Sequence, residues 1–250
     1  MSDAIRVGLI GYGYASKTFH APLIGGTPGM ALTRVSSSEA GKVHADWPGV
    51  RVVSAAKDLL NDPDIELVVI ATPNDTHFPL AKAALEAGLH VICEKPLCFS
   101  AEEARELVDL SKKQNKIVGV TYGYAGYQMI QQARQMIADG LLGEIRIVNM
   151  QFAHGFHNQA VELQAESTRW RVTPKFAGPS YVLGDLATHP LFVAETMAPQ
   201  LNIKRLMCSR QSFVPSRAPL EDNAFVLMEY DNGAVGSMWT SAVNSRSEER

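Results

Sequence analysis

Over roughly the first 120 residues, short runs rich in Val, Ile and Leu alternate with segments of helical periodicity, and few architectures accept that alternation. Ile5 to Ile10, Ala31 to Val35, Val50 to Val53, Leu67 to Ala71, His90 to Cys93 and Ile117 to Val120 read as strands. Helical spacing is expected from about Ala15 to Gly25, in a short turn at Asp58-Leu59-Leu60, from Phe78 to Ala87, and from Ser100 to about Asn115. Leu67-Val68-Val69-Ile70-Ala71 has no polar member, as a strand covered on both faces requires. Gly88 stands where a helix C-cap is needed, and Ser100 with Glu103 forms a capping box. Strands interleaved with helices in this way specify βαβ units and a doubly wound parallel sheet.

Beyond residue 121 the pattern changes, which sets the expected domains at 1–121 and 122–250. A helix is expected from Tyr127 to Asp139, stopping at Gly140, and another from Gly184 to Met197. Ile145 to Phe152, Ile203 to Phe213, Ala224 to Tyr230 and Ala234 to Ala242 read as strands, with Asp231-Asn232-Gly233 as a hairpin turn. The fold class is therefore α/β: a doubly wound parallel sheet followed by an α+β domain, a mostly antiparallel sheet with a helix against it. Three or four strands are few for such a domain, and the ending Ser245-Arg246-Ser247-Glu248-Glu249-Arg250 follows a hairpin directly, so further C-terminal sequence is expected.

At 250 residues and 27.2 kDa the chain is long enough to bury a core without staples. A net charge of −3, with Lys112-Lys113 as the longest basic run, argues against a nucleic-acid partner. Cys93, Cys98 and Cys208 are odd in number and lack CxxC spacing, which argues against a disulfide framework or a zinc site. No apolar stretch reaches membrane-spanning length and no export signal is visible, so a cytoplasmic protein with no membrane partner is expected.

Gly11-Tyr12-Gly13-Tyr14-Ala15-Ser16 follows the first strand and opens the first helix, as the GxGxxG dinucleotide fingerprint does, with Ser16 at the third glycine. The first glycine makes the tight turn, the second admits a pyrophosphate, and the helix N-terminus favours its charge. The second strand ends at Ser36-Ser37-Ser38, where an NAD site carries an acid for the ribose hydroxyls. Without that acid a 2′-phosphate is not repelled, and the expected cofactor is NADP in preference to NAD. The bland alternative is that the serines cap the next helix.

Four motifs in order carry a resemblance: Gly11 to Ser16, Ala71-Thr72-Pro73-Asn74-Asp75-Thr76-His77, Glu94-Lys95-Pro96-Leu97, and Gly184-Asp185-Leu186-Ala187-Thr188-His189. Together they resemble the Gfo/Idh/MocA oxidoreductases over the whole chain. The resemblance implies a Rossmann domain and then an α/β domain with an open sheet. It also implies a nicotinamide cofactor, hydride transfer at a sugar or cyclitol carbon, and a homo-dimer or homo-tetramer. Up to about Lys95, including Tyr14 to Pro22, the chain looks like the scyllo-inositol-type, NADP-linked branch. Thr121 to Tyr127 and Trp170-Arg171 look like another branch.

Alcohol oxidation needs a base, and imidazole suits it at neutral pH. Asp185 and His189, at i and i+4 of a predicted helix, project from one face. His189 is expected as general acid/base, Asp185 as its partner or a substrate ligand, and Lys95, at the end of the fifth strand, as donor to the reacting oxygen. The bland alternative is a helix salt bridge and a surface lysine. The resemblance adds Tyr12, Thr72, Pro73, Asn74, His77, Glu94, Trp170 and Arg171 as cofactor contacts. Tyr122, Tyr124, Tyr127, His154 and Arg171 are candidate substrate contacts. Hydride transfer needs no metal, so His154 and His157 are not read as ligands. A dinucleotide-binding sensor without turnover, or an incomplete inactive chain, is the alternative reading.

Overall fold

The computed structural model describes residues 4–163 and 169–244. The last six residues, on which the expectation of further C-terminal sequence rests, lie outside them. The chain divides into two compact units, Met1–Thr121 and Tyr122–Arg250.

The first unit holds β1 (Ile5–Ile10), β2 (Met30–Ser36), β3 (Arg51–Val53), β4 (Leu67–Ile70), β5 (His90–Cys93) and β6 (Val118–Val120) in one sheet, ordered β3-β2-β1-β4-β5-β6. Every pairing is parallel. Strand β4 shows why its sequence has no polar member. Leu67 and Val69 enter one core with Val7, Leu9 and Val35, while Val68 and Ile70 enter the other with Leu59, Leu85 and Leu107. Successive side chains point to opposite faces, both faces are covered, and each fully buried Val or Leu contributes roughly 1.5–3 kcal/mol.

The covering helices are α1 (Ala21–Gly26), α2 (Ala40–Asp46), α3 (Ala56–Leu60), α4 (His77–Glu86) and α5 (Ala101–Gln114). Ser100 Oγ accepts the Glu103 N–H at 3.1 Å, but the Glu103 carboxylate reaches back to the Phe99 N–H at 2.9 Å rather than to Ser100. Because the strand order reverses between β1 and β4, a crevice opens outside their carboxyl ends, where such sheets bind ligands.

The second unit contains α6 (Gln128–Ala138), β7 (Ile147–Ala153), α7 (Thr188–Met197), β8 (Ile203–Gln211), β9 (Asn223–Tyr230) and β10 (Val235–Ser241). Its sheet runs β7-β10-β9-β8. β8, β9 and β10 pair antiparallel, while β7 joins β10 in parallel, so the sheet is mixed. One face buries Met150, Val226, Met228 and Met238 beneath Leu183, Leu191 and Ala194. The other leaves Ile147, Met207, Phe225, Leu227 and Val235 exposed. Among the described residues no helix is long and apolar enough to cross a membrane. All three cysteines are free, and burial pushes the Cys93 thiol well up, as for a core residue.

Candidate active site

Gly11 turns the chain at φ +89°, and a Cβ there would sit 2.6 Å from the Ala71 carbonyl oxygen. Only glycine fits. Gly13 meets nothing within 4 Å and presents bare backbone to the crevice. The Gly11 N–H donates to Ser36 O at 2.9 Å, locking the turn to β2. Ser16 is fully buried and donates Oγ–H to Gly11 O at 2.9 Å. It closes the turn from within, where a third glycine would only permit close packing. A π turn, Ser16–His20, begins the helix, closed by Ala21 N–H on Ser16 O, and α1 continues it. Bare backbone beside a helix N-terminus fits a pyrophosphate.

The Tyr12 hydroxyl donates to Asp46 at 3.0 Å; burial, then that carboxylate, push its pKa up to about 12. Lys17 pairs with the same Asp46 at 2.9 Å. At the end of β2, Ser36 is buried, Ser37 Oγ accepts the Glu39 N–H at 3.1 Å, and Ser38 is exposed. Lys42 is ion-paired to Glu39 at 2.5 Å. Ser37 thus braces the turn before α2, but no side chain caps that helix at its N-cap Glu39.

After β4, Thr72 and Thr76 share a hydroxyl–hydroxyl bond of 2.5 Å, and Pro73 leads into buried Asn74. His77, expected as a cofactor contact, turns its side chain inward. It is 1% exposed, with Nδ1 2.7 Å from Pro96 O and Nε2 2.8 Å from Thr72 O. Both partners are backbone carbonyl oxygens, one on each side of the ring. Its side chain ties the Thr72 loop to the Lys95-Pro96 turn instead of facing outward.

Glu94 follows β5. Its Oε1 lies 2.8 Å from His20 Nε2, and its Oε2 accepts the Lys95 N–H at 3.1 Å. Burial raises the Glu94 carboxyl, but the His20 bond and charge, together with the Thr121 bond and the Lys95 charge, outweigh it and hold the group below the usual carboxylate range. Lys95 stands at the carboxyl edge of the sheet, half-buried.

In the second unit, a further π turn, Leu183–Ala187, carries Asp185 and runs into α7, which carries His189. Such turns concentrate at functional sites. Glu221, 2% exposed, positions this helix start. Its Oε1 accepts the Ser180 hydroxyl at 2.5 Å and the N–H groups of Tyr181 and Leu183 at 3.1 and 3.0 Å. A carboxylate there also complements the helix dipole.

Asp185 faces Arg171, Oδ2 to Nε 3.8 Å, and the Arg171 guanidinium lies 4.4 Å over the Trp170 ring. The His189 ring sits among aromatics, 4.8 Å from Tyr124, 5.6 Å from Phe152 and 6.1 Å from Tyr122. Tyr122 stacks on Phe192 at 4.3 Å, so it packs the wall as much as it lines it. Tyr127 is exposed and edges onto Tyr124. His154 groups with Phe156 and with His157. Buried His157 is hydrogen-bonded through Nδ1 to the Tyr181 hydroxyl. Among the described residues no group of three or more His, Cys, Asp or Glu could hold a metal ion.

Sequence reasoning missed His20, Glu221, Phe152 and the pair His157–Tyr181. Their partners lie 74, 40, 37 and 24 positions away, and local periodicity carries no signal at that range.

Residues 5–122 match a family described as an oxidoreductase family with an NAD-binding Rossmann fold, and residues 130–250 match the GFO/IDH/MocA C-terminal domain. YfiI of Bacillus subtilis, an uncharacterized oxidoreductase, is 54% identical over 191 residues, covering 76% of this chain and 49% of that protein. Among solved structures, an inositol dehydrogenase homolog of Azotobacter vinelandii complexed with NAD+ is 50% identical. It superposes with a TM-score of 0.89 over 99% of this chain and 67% of that one. The same description, complexed with NADH and myo-inositol, gives 49% identity and a TM-score of 0.86 over 99% and 66%. The chain spans about half the length of the curated relatives it matches. Both units are matched in tandem, and the parallel sheet carries its glycine turn where a dinucleotide-binding fold requires one. The chain belongs to the Gfo/Idh/MocA family of oxidoreductases.

Proposed function

We propose that this protein is an NAD(P)-dependent dehydrogenase that interconverts a hydroxyl and a keto carbon on a cyclitol, sugar or sugar derivative. The observation that carries the reading is the bare Gly13 backbone beside the Ser16 helix start, in a chain that also presents Asp185 and His189 at the head of α7. The nicotinamide, when bound, supplies the hydride acceptor. His189 takes the hydroxyl proton as general base, and returns it in the reverse direction. Lys95 donates a hydrogen bond to the reacting oxygen and stabilises charge as it develops there. Asp185, with Arg171 beside it, orients substrate hydroxyls. Tyr124 and Phe152 offer ring faces against which the C–H face of a cyclic polyol can lie. The inositol dehydrogenase homolog's complex with myo-inositol supports the substrate class.

The cofactor is NADP in preference to NAD, because Ser36, Ser37 and Ser38 stand where an acid would repel a 2′-phosphate. Calorimetric titration is expected to give micromolar binding, tighter for NADP+ than for NAD+. A clear advantage for NAD+, the cofactor of the homolog's complex, would overturn the preference, and binding of neither would overturn the reading. Dinucleotide binding with no nicotinamide reduction across a panel of cyclitols and sugars would favour a sensor without turnover.

The exposed apolar sheet face, with Ile147, Met207, Phe225, Leu227 and Val235, supports a homo-dimer or homo-tetramer, since monomers rarely expose such a patch. Light scattering is expected to give a multiple of the chain mass, and a monomer at micromolar concentration would refute it. The proposed location is the cytoplasm.

A further inference from the structure

We propose that His20 is a positioning residue for the nicotinamide-side half of the dinucleotide, acting through Glu94; the proposal rests on the dinucleotide reading above. His20 closes the π turn Ser16–His20, and only its two ends, Ser16 and His20, are buried. Ser16 shapes the phosphate turn from beneath. His20 does a different task, reaching from the helix that follows β1 to the end of β5. In the sheet, β4 lies between those two strands. A dinucleotide laid across the β1/β4 crevice puts its adenosine ribose beside the end of β2 and its other half on the β4–β5 side. The His20–Glu94 bond of 2.8 Å therefore couples the phosphate-binding helix to the strand end that receives the nicotinamide ribose.

The chemistry of Glu94 shows what the bond achieves. One carboxylate oxygen takes the His20 ring N–H and the other takes the Lys95 amide N–H. The Thr121 side chain also reaches the carboxylate, which with about four lone-pair sites still has acceptor capacity left. The carboxylate is thus fixed in direction and held ionised while still able to accept ribose hydroxyls. Both side chains are largely screened from solvent, 10% and 21% exposed, so water does not readily replace His20 as the donor. Without that donor the Glu94 carboxylate is held only by the Lys95 N–H and the Thr121 side chain, and its direction is less fixed.

The test is calorimetric titration of the 250-residue chain with NADP+ and NAD+, and with the adenosine-half fragments 2′,5′-ADP and ADP. His20→Leu is expected to raise the Kd of the preferred dinucleotide by about tenfold or more and leave the matching fragment within about twofold. His20→Gln, whose amide can donate to Glu94, should recover most of the loss. Unchanged dinucleotide affinity in H20L overturns the proposal alone. So does equal weakening of dinucleotide and fragment, which marks a purely structural role. No dinucleotide binding by the wild-type chain overturns the reading and the proposal together. Should H20L fail to melt cooperatively, Glu94→Gln decides: a selective loss of dinucleotide affinity supports the proposal, and no loss overturns it.

Discussion

Lys95→Met and His189→Ala are each expected to lower kcat by about 10²–10⁴-fold, with dinucleotide affinity within a few fold of wild type. The size follows from the roles. In the proposed roles a positioned base contributes in that range, and hydrogen-bond donation to a developing alkoxide contributes a comparable amount. The measurement is steady-state turnover with a cyclitol or sugar substrate, beside calorimetric binding of the dinucleotide. Near-normal turnover in either single variant would refute its role. A larger effect on dinucleotide Kd than on kcat would recast Lys95 as a cofactor ligand only.

Arg217→Met is expected to cost about 3–5 kcal/mol of stability, seen as a fall in Tm of about 10 °C or more. Arg217 has no exposed surface and lies between two carboxylates, Glu162 at 3.3 Å and Asp222 at 3.4 Å, with Gln159 O at 2.7 Å. Removing the guanidinium strands both acids in a low-dielectric interior, which costs more than the pair itself contributes. Asp222 also accepts the N–H groups of Phe213 and Val214, each at 2.9 Å, so the damage extends to the loop after β8.

The same interior makes the protein acid-sensitive. Burial first, then the positive charges of Arg217, Arg171 and His154, lower the pKa of His157 from 6.5 to about 4. The unfolded chain therefore takes up that proton at higher pH than the folded one. The neutral ring's contribution, on the order of 3 kcal/mol, is complete above about pH 6.5 and is lost as pH falls toward 4. Glu162 acts in the same sense. Burial raises its carboxyl, but the Ser216 bond and Arg217 prevail and hold it below its ordinary value. Its contribution is present above the unfolded carboxyl pKa and disappears as pH drops through the lower folded one. Tm should fall steadily below about pH 6.5, and His157→Phe should flatten the upper part of that fall. A pH-independent Tm between 7 and 4 would exclude the linkage.

The alternation of strands and helices, the apolar β4 and the glycine turn are legible along the chain, because each depends on residues within a few positions of one another. Backbone sterics at Gly11 and period-two burial on β4 are local facts. The mixed character of the second sheet was not legible. A parallel β7–β10 pairing joins residues 88 positions apart, and strand sequences alone do not state their direction. Nor were the positions that aim the site. The motif points to His77 as a cofactor contact, whereas both its nitrogens lie on the Thr72 and Pro96 carbonyls. Glu221 has no sequence signal, yet it accepts the N–H groups of Tyr181 and Leu183 at the helix start that carries Asp185.

The sequence by itself determined the strands and helices of the parallel sheet and the glycine turn within it, since periodicity, caps and turns are set by neighbours. Only the tertiary structure decided which polar side chains brace others: His20 on Glu94, Glu221 on the α7 entry, Arg217 between two acids. A buried hydrogen bond or ion pair is chosen by the cost of leaving a polar group unpaired in the interior, and that cost exists only once the chain has closed around it.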